Sequence, residues 1–210
     1  MKKLLLQIQR LEKGMTGTVI RKRAREFKAV GRSSAKRIFS ELCFCILTAN
    51  YSAEGGIRVQ RALGGRFSEL SEAELASELK ILGYRFPNTR ARYIAQNRIH
   101  KDSIKERLLC LESPDERRQW LVDNIMGFGY KEASHFLRNI GYDDHAIIDF
   151  HVIDLLARHG IVSKNKKRSS NKRQYLEAEQ AVKRISNKVG IPPGALDLYL
   201  WYIETGKVLK

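Results

Sequence analysis

The stretch from Arg117 to Ala157, RRQWLVDNIMGFGYKEASHFLRNIGYDDHAIIDFHVIDLLA, constrains this chain more than any other. Apolar residues recur there at helical spacing in two runs: Trp120, Leu121, Ile125 and Met126, then Ala133, Phe136, Leu137 and Ile140. Between the runs lies Gly127-Phe128-Gly129. Glycine at both ends lets the backbone turn tightly and come close to another surface. The pattern therefore predicts two helices joined by a hairpin whose amide N–H groups face outward. The start of the second helix adds unpaired donors and a positive dipole end, a seat for phosphate oxygens.

Two charged residues in this stretch have a bland and a chemical account each. Lys131 falls in the first turn of the second helix, where the dipole opposes its charge. It either reaches to solvent or a phosphate, or the same field and partial burial favour the free amine of a nucleophile. Asp149 closes the apolar run Ala146-Ile147-Ile148 and precedes Val152, Ile153, Leu155 and Leu156, the position of an N-cap. Capping alone explains it, but a capping carboxylate is also a fixed negative charge beside any cation that develops nearby.

Lys and Arg number 39 against 23 Asp and Glu, a formal net charge of +16. That excess makes a polyanion, nucleic acid above all, the expected partner. No run approaches the roughly 20 apolar residues that span a bilayer. Met1 to Leu6 starts like a signal peptide, but Gln7, Gln9 and Arg10 end it too soon, so an intracellular protein is expected. Cys43 and Cys45 read as core side chains within Phe39 to Ala49. An odd cysteine count without CxxC spacing argues against a disulfide framework, a zinc site or a four-cysteine iron–sulfur cluster, and no cofactor is expected.

Almost no segment alternates like a strand, and at 210 residues the expectation is an all-α fold of two interleaved lobes. Residues 2–13 form a short amphipathic helix; the basic run 19–28 follows, broken by Gly31. Ser33 and Ser34 open a helix to Leu47 that is apolar nearly all round, the signature of a central buried helix. Asn50, just beyond it, reads as a helix stop. Capping boxes at Ser71 and Ser113 start two further helices, the second strengthened by Pro114. Between them, Gly83 to Tyr93 interleaves exposed-looking aromatics with arginines, which suits base stacking and phosphate contact or, equally, a solvated loop. The basic run Lys164 to Arg173 reads as a solvated connection. A helix over 175–189, stopped by Gly190, and a last one carrying Leu196, Leu198, Trp201 and Tyr202 complete the chain.

Gly127-Phe128-Gly129-Tyr130-Lys131 and Ile148-Asp149-Phe150-His151 together resemble the helix-hairpin-helix DNA glycosylase superfamily. Within it the chain is most similar to 8-oxoguanine glycosylase/lyases of the short archaeal branch, with the motif over about 114–141. The resemblance implies that Lys131 attacks the sugar and Asp149 assists, and that Gly127 and Gly129 grip DNA. It implies that Asn50 fills the hole left by an extruded base, Phe86 wedges into the duplex, and Arg85 or Arg90 reads the opposite base. His135, one turn beyond Lys131, is expected to line the base pocket. The resemblance adds Trp201 and Lys210, through a tail that folds over the pocket and a terminal carboxylate that helps read the base. His151 follows Asp149, with a local bond as its plain account.

The implied partner is double-stranded DNA containing oxidised guanine, bound by a monomer without metal or membrane. A non-catalytic hairpin module and a glycosylase for another damaged base are the competing readings. A +16 chain that grips phosphates should bind undamaged duplex with an affinity that falls steeply with salt. Fluorescence anisotropy across a salt series measures this, and a flat response would remove the electrostatic account.

Overall fold

The structure, a computed structural model, describes residues 1–163 and 172–210; of the basic run only Lys172 and Arg173 lie inside them. Regular structure among the described residues is helical throughout.

The chain begins with α1 (Lys2–Lys13) and α2 (Met15–Gly31), packed as a hairpin through Leu4, Ile8, Ile20 and Phe27. Next comes α3 (Ala35–Thr48), in which every residue from Ile38 to Thr48 is buried, as its all-round apolar pattern requires. Around it pack α4 (Ala53–Leu63), α6 (Pro87–Asn97) and α7 (Ile104–Leu109), with α5 (Glu72–Ile81) against α6. The Ser71 and Ser113 capping boxes both form, Ser71 with Glu74 and Ser113 with Glu116. The second starts α8 (Pro114–Asn124), which turns through Ile125–Gly129 into α9 (Tyr130–Asn139). After an extended segment come α10 (Phe150–Arg158), α11 (Lys172–Val189) and α12 (Pro193–Thr205).

Two hydrophobic cores result. One is continuous in sequence and centred on Phe39, Phe44, Phe67 and Phe136, from α3 to α9. The other joins both ends of the chain: Leu4, Ile8 and Ile20 pack with Val152, Leu155, Val182 and Leu196. The first lobe is therefore inserted between two parts of the second, which is the interleaving expected. The end of α2 meets the end of α9 closely: a Cβ on Gly31 would stand 2.0 Å from the Ile140 carbonyl oxygen. Gly31 thus stays inside α2 as its last residue, and close approach explains it better than helix breaking.

Buried ion pairs cross from lobe to lobe. Arg118 of α8 meets Glu179 of α11, at 4% and 1% side-chain exposure. Arg138 of α9 meets Asp197 of α12 at 2.6 Å. His145, 3.6 Å from Glu179, and the Pro114 carbonyl oxygen, 3.0 Å from His145, extend the first of these contacts. Removing one member leaves the other charged and out of water, a loss of about 3–5 kcal/mol. Glu179→Ala should lower unfolding free energy by that amount in urea denaturation. A change near zero would mean that the Asp115 carboxylate, 3.1 Å from Arg118, suffices as its counter-charge.

Candidate active site

The hairpin is set by backbone rather than side chains. Gly127 has φ +89°, and a Cβ there would stand 2.6 Å from the ring of Tyr93, so only glycine satisfies both the turn and the contact. Asn97 holds the hairpin from α6: its amide nitrogen donates to the Met126 carbonyl oxygen (3.0 Å), and its oxygen accepts from the Met126 amide (2.9 Å). Not every hairpin amide faces outward, however. The Phe128 N–H turns back to the Ile125 carbonyl oxygen, and the Gly129 N–H donates to Glu132 at 3.2 Å. Glu132 also lies 3.7 Å from the Lys131 ammonium. Its signal was present as an acid three positions after the cap, half of a capping box built on glycine.

Lys131 is at the start of α9, its side chain 25% exposed. Asp149 is the N-cap of α10, accepting from the Val152 amide at 2.9 Å, and is half-buried. Both therefore remain within reach of solvent. Asp197 of α12, paired with Arg138, is buried, and burial pushes its carboxyl up to about 7 against the pull of that arginine. Asp149 adds to that rise and Lys131 opposes it, so both charges act on one buried group.

Tyr175 joins the two helix starts. Its hydroxyl meets the Ser134 hydroxyl on α9 (3.2 Å), donates to the Ala146 carbonyl oxygen (2.9 Å) and accepts from the Ile148 amide (3.4 Å). Sequence reasoning missed it, since an aromatic in an amphipathic helix reads only as core.

Two of the candidate pocket residues, His135 and Lys210, meet at the Phe44 ring. His135 is buried against Phe44, with ring centroids 5.6 Å apart. Burial, with the nearby charges of Arg138, Lys131 and Lys210, holds its imidazole well below the ordinary range against an opposing backbone contact from Lys210, and neither ring nitrogen reaches full hydrogen-bond geometry with the protein. The Lys210 ammonium lies 4.3 Å from the same Phe44 ring. Trp201 stacks edge-on to His151 at 4.7 Å, and its buried Nε1 has no partner. His151 in turn packs on Phe150, which is 57% exposed. The histidine is thus the middle of an aromatic row, rather than only a local hydrogen-bonding residue.

Asn50, Arg85, Phe86 and Arg90 gather at the end of α3. Asn50 is exposed with φ +58°, a left-handed stop as expected. Arg85 is exposed and stacks on Phe86 at 4.9 Å. Arg90 departs from expectation: it is buried and donates to the Ala49 carbonyl oxygen at 2.8 Å. Tyr84 is buried too, donating to the Leu47 carbonyl oxygen at 2.6 Å. Both satisfy carbonyls that the end of α3 leaves without intrahelical donors. Of the two arginines, Arg85 is the one free to meet a base.

The family described as 8-oxoguanine DNA glycosylase matches residues 20–191. The chain belongs to that family. It is 45% identical to the 8-oxoguanine DNA glycosylase/AP lyase of Korarchaeum cryptofilum, over 99% of this chain and 98% of the relative. The fold matches the crystal structure of Methanocaldococcus jannaschii 8-oxoguanine glycosylase/lyase in complex with 15mer DNA containing 8-oxoguanine. That match has a TM-score of 0.95 at 45% identity, covering 99% of this chain and 100% of the other. The 8-oxoguanine DNA glycosylase of Thermotoga maritima matches with a TM-score of 0.92 at 40% identity, covering 100% and 99%. The expected all-α glycosylase fold is the one observed, and the family is the one its two motifs indicated.

In this member of the 8-oxoguanine DNA glycosylase family, Tyr175→Phe keeps the ring but leaves the Ile148 amide and Ala146 carbonyl without their partner. The expected cost is about 1–3 kcal/mol. Urea denaturation should show it, together with faster hydrogen exchange at the Ile148 amide. Unchanged stability and exchange would mean that the hydroxyl does not hold this segment.

Proposed function

We propose that the chain is a bifunctional DNA glycosylase and abasic-site lyase that excises 8-oxoguanine, with Lys131 as nucleophile and Asp149 as the assisting carboxylate. The observation that carries the reading is local: two half-buried, oppositely charged residues stand at successive helix starts that the Tyr175 hydroxyl joins, through Ser134 on one side and the Ile148 amide on the other. The full-length likeness to glycosylase/lyases, one of them bound to DNA containing 8-oxoguanine, supports the same chemistry.

The target nucleotide must leave the stack before its anomeric carbon can be reached, at a cost of a few kcal/mol. Gly127 and Gly129 bring backbone against the phosphates, Asn50 occupies the vacated space, and Phe86 wedges beside it with Arg85 toward the partner base. The base departs with the electrons of the glycosidic bond, and the sugar becomes oxocarbenium-like. Asp149 stabilises that charge, as a carboxylate does in glycoside hydrolysis. The Lys131 amine bonds to the anomeric carbon, and the sugar opens to an imine. Loss of a proton from the adjacent carbon then expels the 3′ phosphate, cutting the strand. Only a primary amine forms an imine, so one lysine serves both steps. The unpartnered nitrogens of His135 and Trp201 are free to meet the base edge, His135 as a neutral ring with one donor and one acceptor.

Among the described residues no helix is long and apolar enough to cross a membrane. The acting form is read as an intracellular monomer on duplex DNA, a size that sedimentation can measure.

Borohydride should trap the wild type covalently on DNA containing 8-oxoguanine, and Lys131→Gln should abolish trapping. Undiminished trapping in that variant would remove Lys131 from the mechanism. Asp149→Asn should slow base release about a hundredfold or more while DNA still binds. Near-normal release would leave Asp149 as a cap alone.

A further inference from the structure

The five residues after α12 leave their own lobe. Gly206 ends the helix at φ +70°, and the tail then runs to the first lobe, where Lys207 pairs with Glu54 of α4. Beyond it, the Lys210 ammonium enters a cage on α3 and α4. Glu41 accepts at 2.6 Å, the Gln60 side-chain oxygen accepts as well, and the Phe44 ring lies 4.3 Å away.

Glu41 is an unusual residue to find at that place. It lies in the most buried helix of the protein, with its side chain 2% exposed. A carboxylate out of water needs a full set of partners. Besides Lys210, it accepts from Gln60 Nε2 and from Asn139 Nδ2, both at 3.2 Å. The other cation nearby, Arg37, is 3.7 Å away and half-exposed. Lys210 is thus the nearest counter-charge, its side chain 13% exposed, and it comes from the opposite lobe.

The cage also touches the candidate base pocket. Phe44 carries Lys210 near its ring and His135 at its edge. Asn139 and His135 belong to the same helix as Lys131. Holding the ammonium therefore fixes the end of the tail beside the unpartnered histidine.

We propose that Glu41, assisted by Gln60, is a positioning residue for base recognition: it grips the Lys210 side chain and so holds the tail against the base pocket. This rests on the base-pocket role of Lys210 given above. A residue acting in this way affects base release through Lys210, whereas strand cleavage at an abasic site involves no base.

The test compares two single-turnover rates of the full chain: release of 8-oxoguanine from duplex DNA, and strand cleavage at a preformed abasic site. Glu41→Gln keeps the shape and removes the charge; Lys210→Met removes its partner. Each should lower the ratio of release to cleavage by about tenfold or more, and the double variant should fall no further than the worse single. Gln60→Met should lower the same ratio by a smaller factor, which keeps the test open should Glu41→Gln not fold. If Lys210→Met lowers the ratio and Glu41→Gln and Gln60→Met do not, the positioning role is overturned and the base-pocket role stands. If Lys210→Met leaves the ratio at its wild-type value, gripping the side chain does nothing and the positioning role is overturned. Removal of Lys210 altogether, which shifts the carboxylate as well, should lower the ratio, and if it does not the base-pocket role itself fails. Losses that multiply in the double variant, or both rates falling together, would make Glu41 a structural residue only.

Discussion

Three buried carboxylates each take their nearest cation from the opposite lobe. Glu41 holds Lys210, Glu179 holds Arg118 and Asp197 holds Arg138. Such pairs add little net stability, because desolvation offsets most of the attraction. They are costly to separate, however, since each half would remain charged in a dry interior. The lobes therefore have few alternative arrangements relative to one another. The proposed site, which has to bring an amine and a carboxylate to one sugar atom, needs that restraint.

Helix α9 is where the restraint becomes chemistry. Ala133, Phe136 and Leu137 fix it in the first core, while Ser134 and Arg138 reach Tyr175 and Asp197 of the second lobe. Lys131 projects from the end of an element secured on both sides. Asp149 has a similar foundation: an N-cap bond ahead of it and the Tyr175 hydroxyl on the backbone behind. Neither residue depends on a free loop for its position, and a misplacement of an ångström is enough to cost a large factor in rate.

The parts legible in the sequence are those governed by local rules. The all-round apolar pattern of α3, the two capping boxes, the hairpin glycines and the Asp149 cap need only neighbours within a few positions. The inter-lobe pairs join residues 59, 61 and 169 positions apart, with no local signature. Glu41 was hidden for a further reason, as a single acid in an apolar helix reads as one polar interruption. Tyr84 and Arg90 misled in the other direction. Aromatics among arginines suggest a nucleic-acid surface, yet these two serve the unpaired carbonyls at the end of α3. That demand exists only once α3 ends in the interior, so composition could not reveal it.

The buried pairs also bear on how the protein meets DNA. Glu41 with Lys210 and Glu179 with Arg118 each set one negative charge against one positive, so these pairs leave the formal net charge of +16 unchanged. The whole excess is then carried by groups nearer the surface, where it acts on a polyanion at a distance of about one Debye length. Had the three carboxylates stood outside with their cations inside, the surface would lose that much of its attraction while the interior gained unpaired charge. Cross-lobe pairing avoids both costs at once: the arrangement that ties the lobes together also leaves the outward field free to draw the duplex toward the protein.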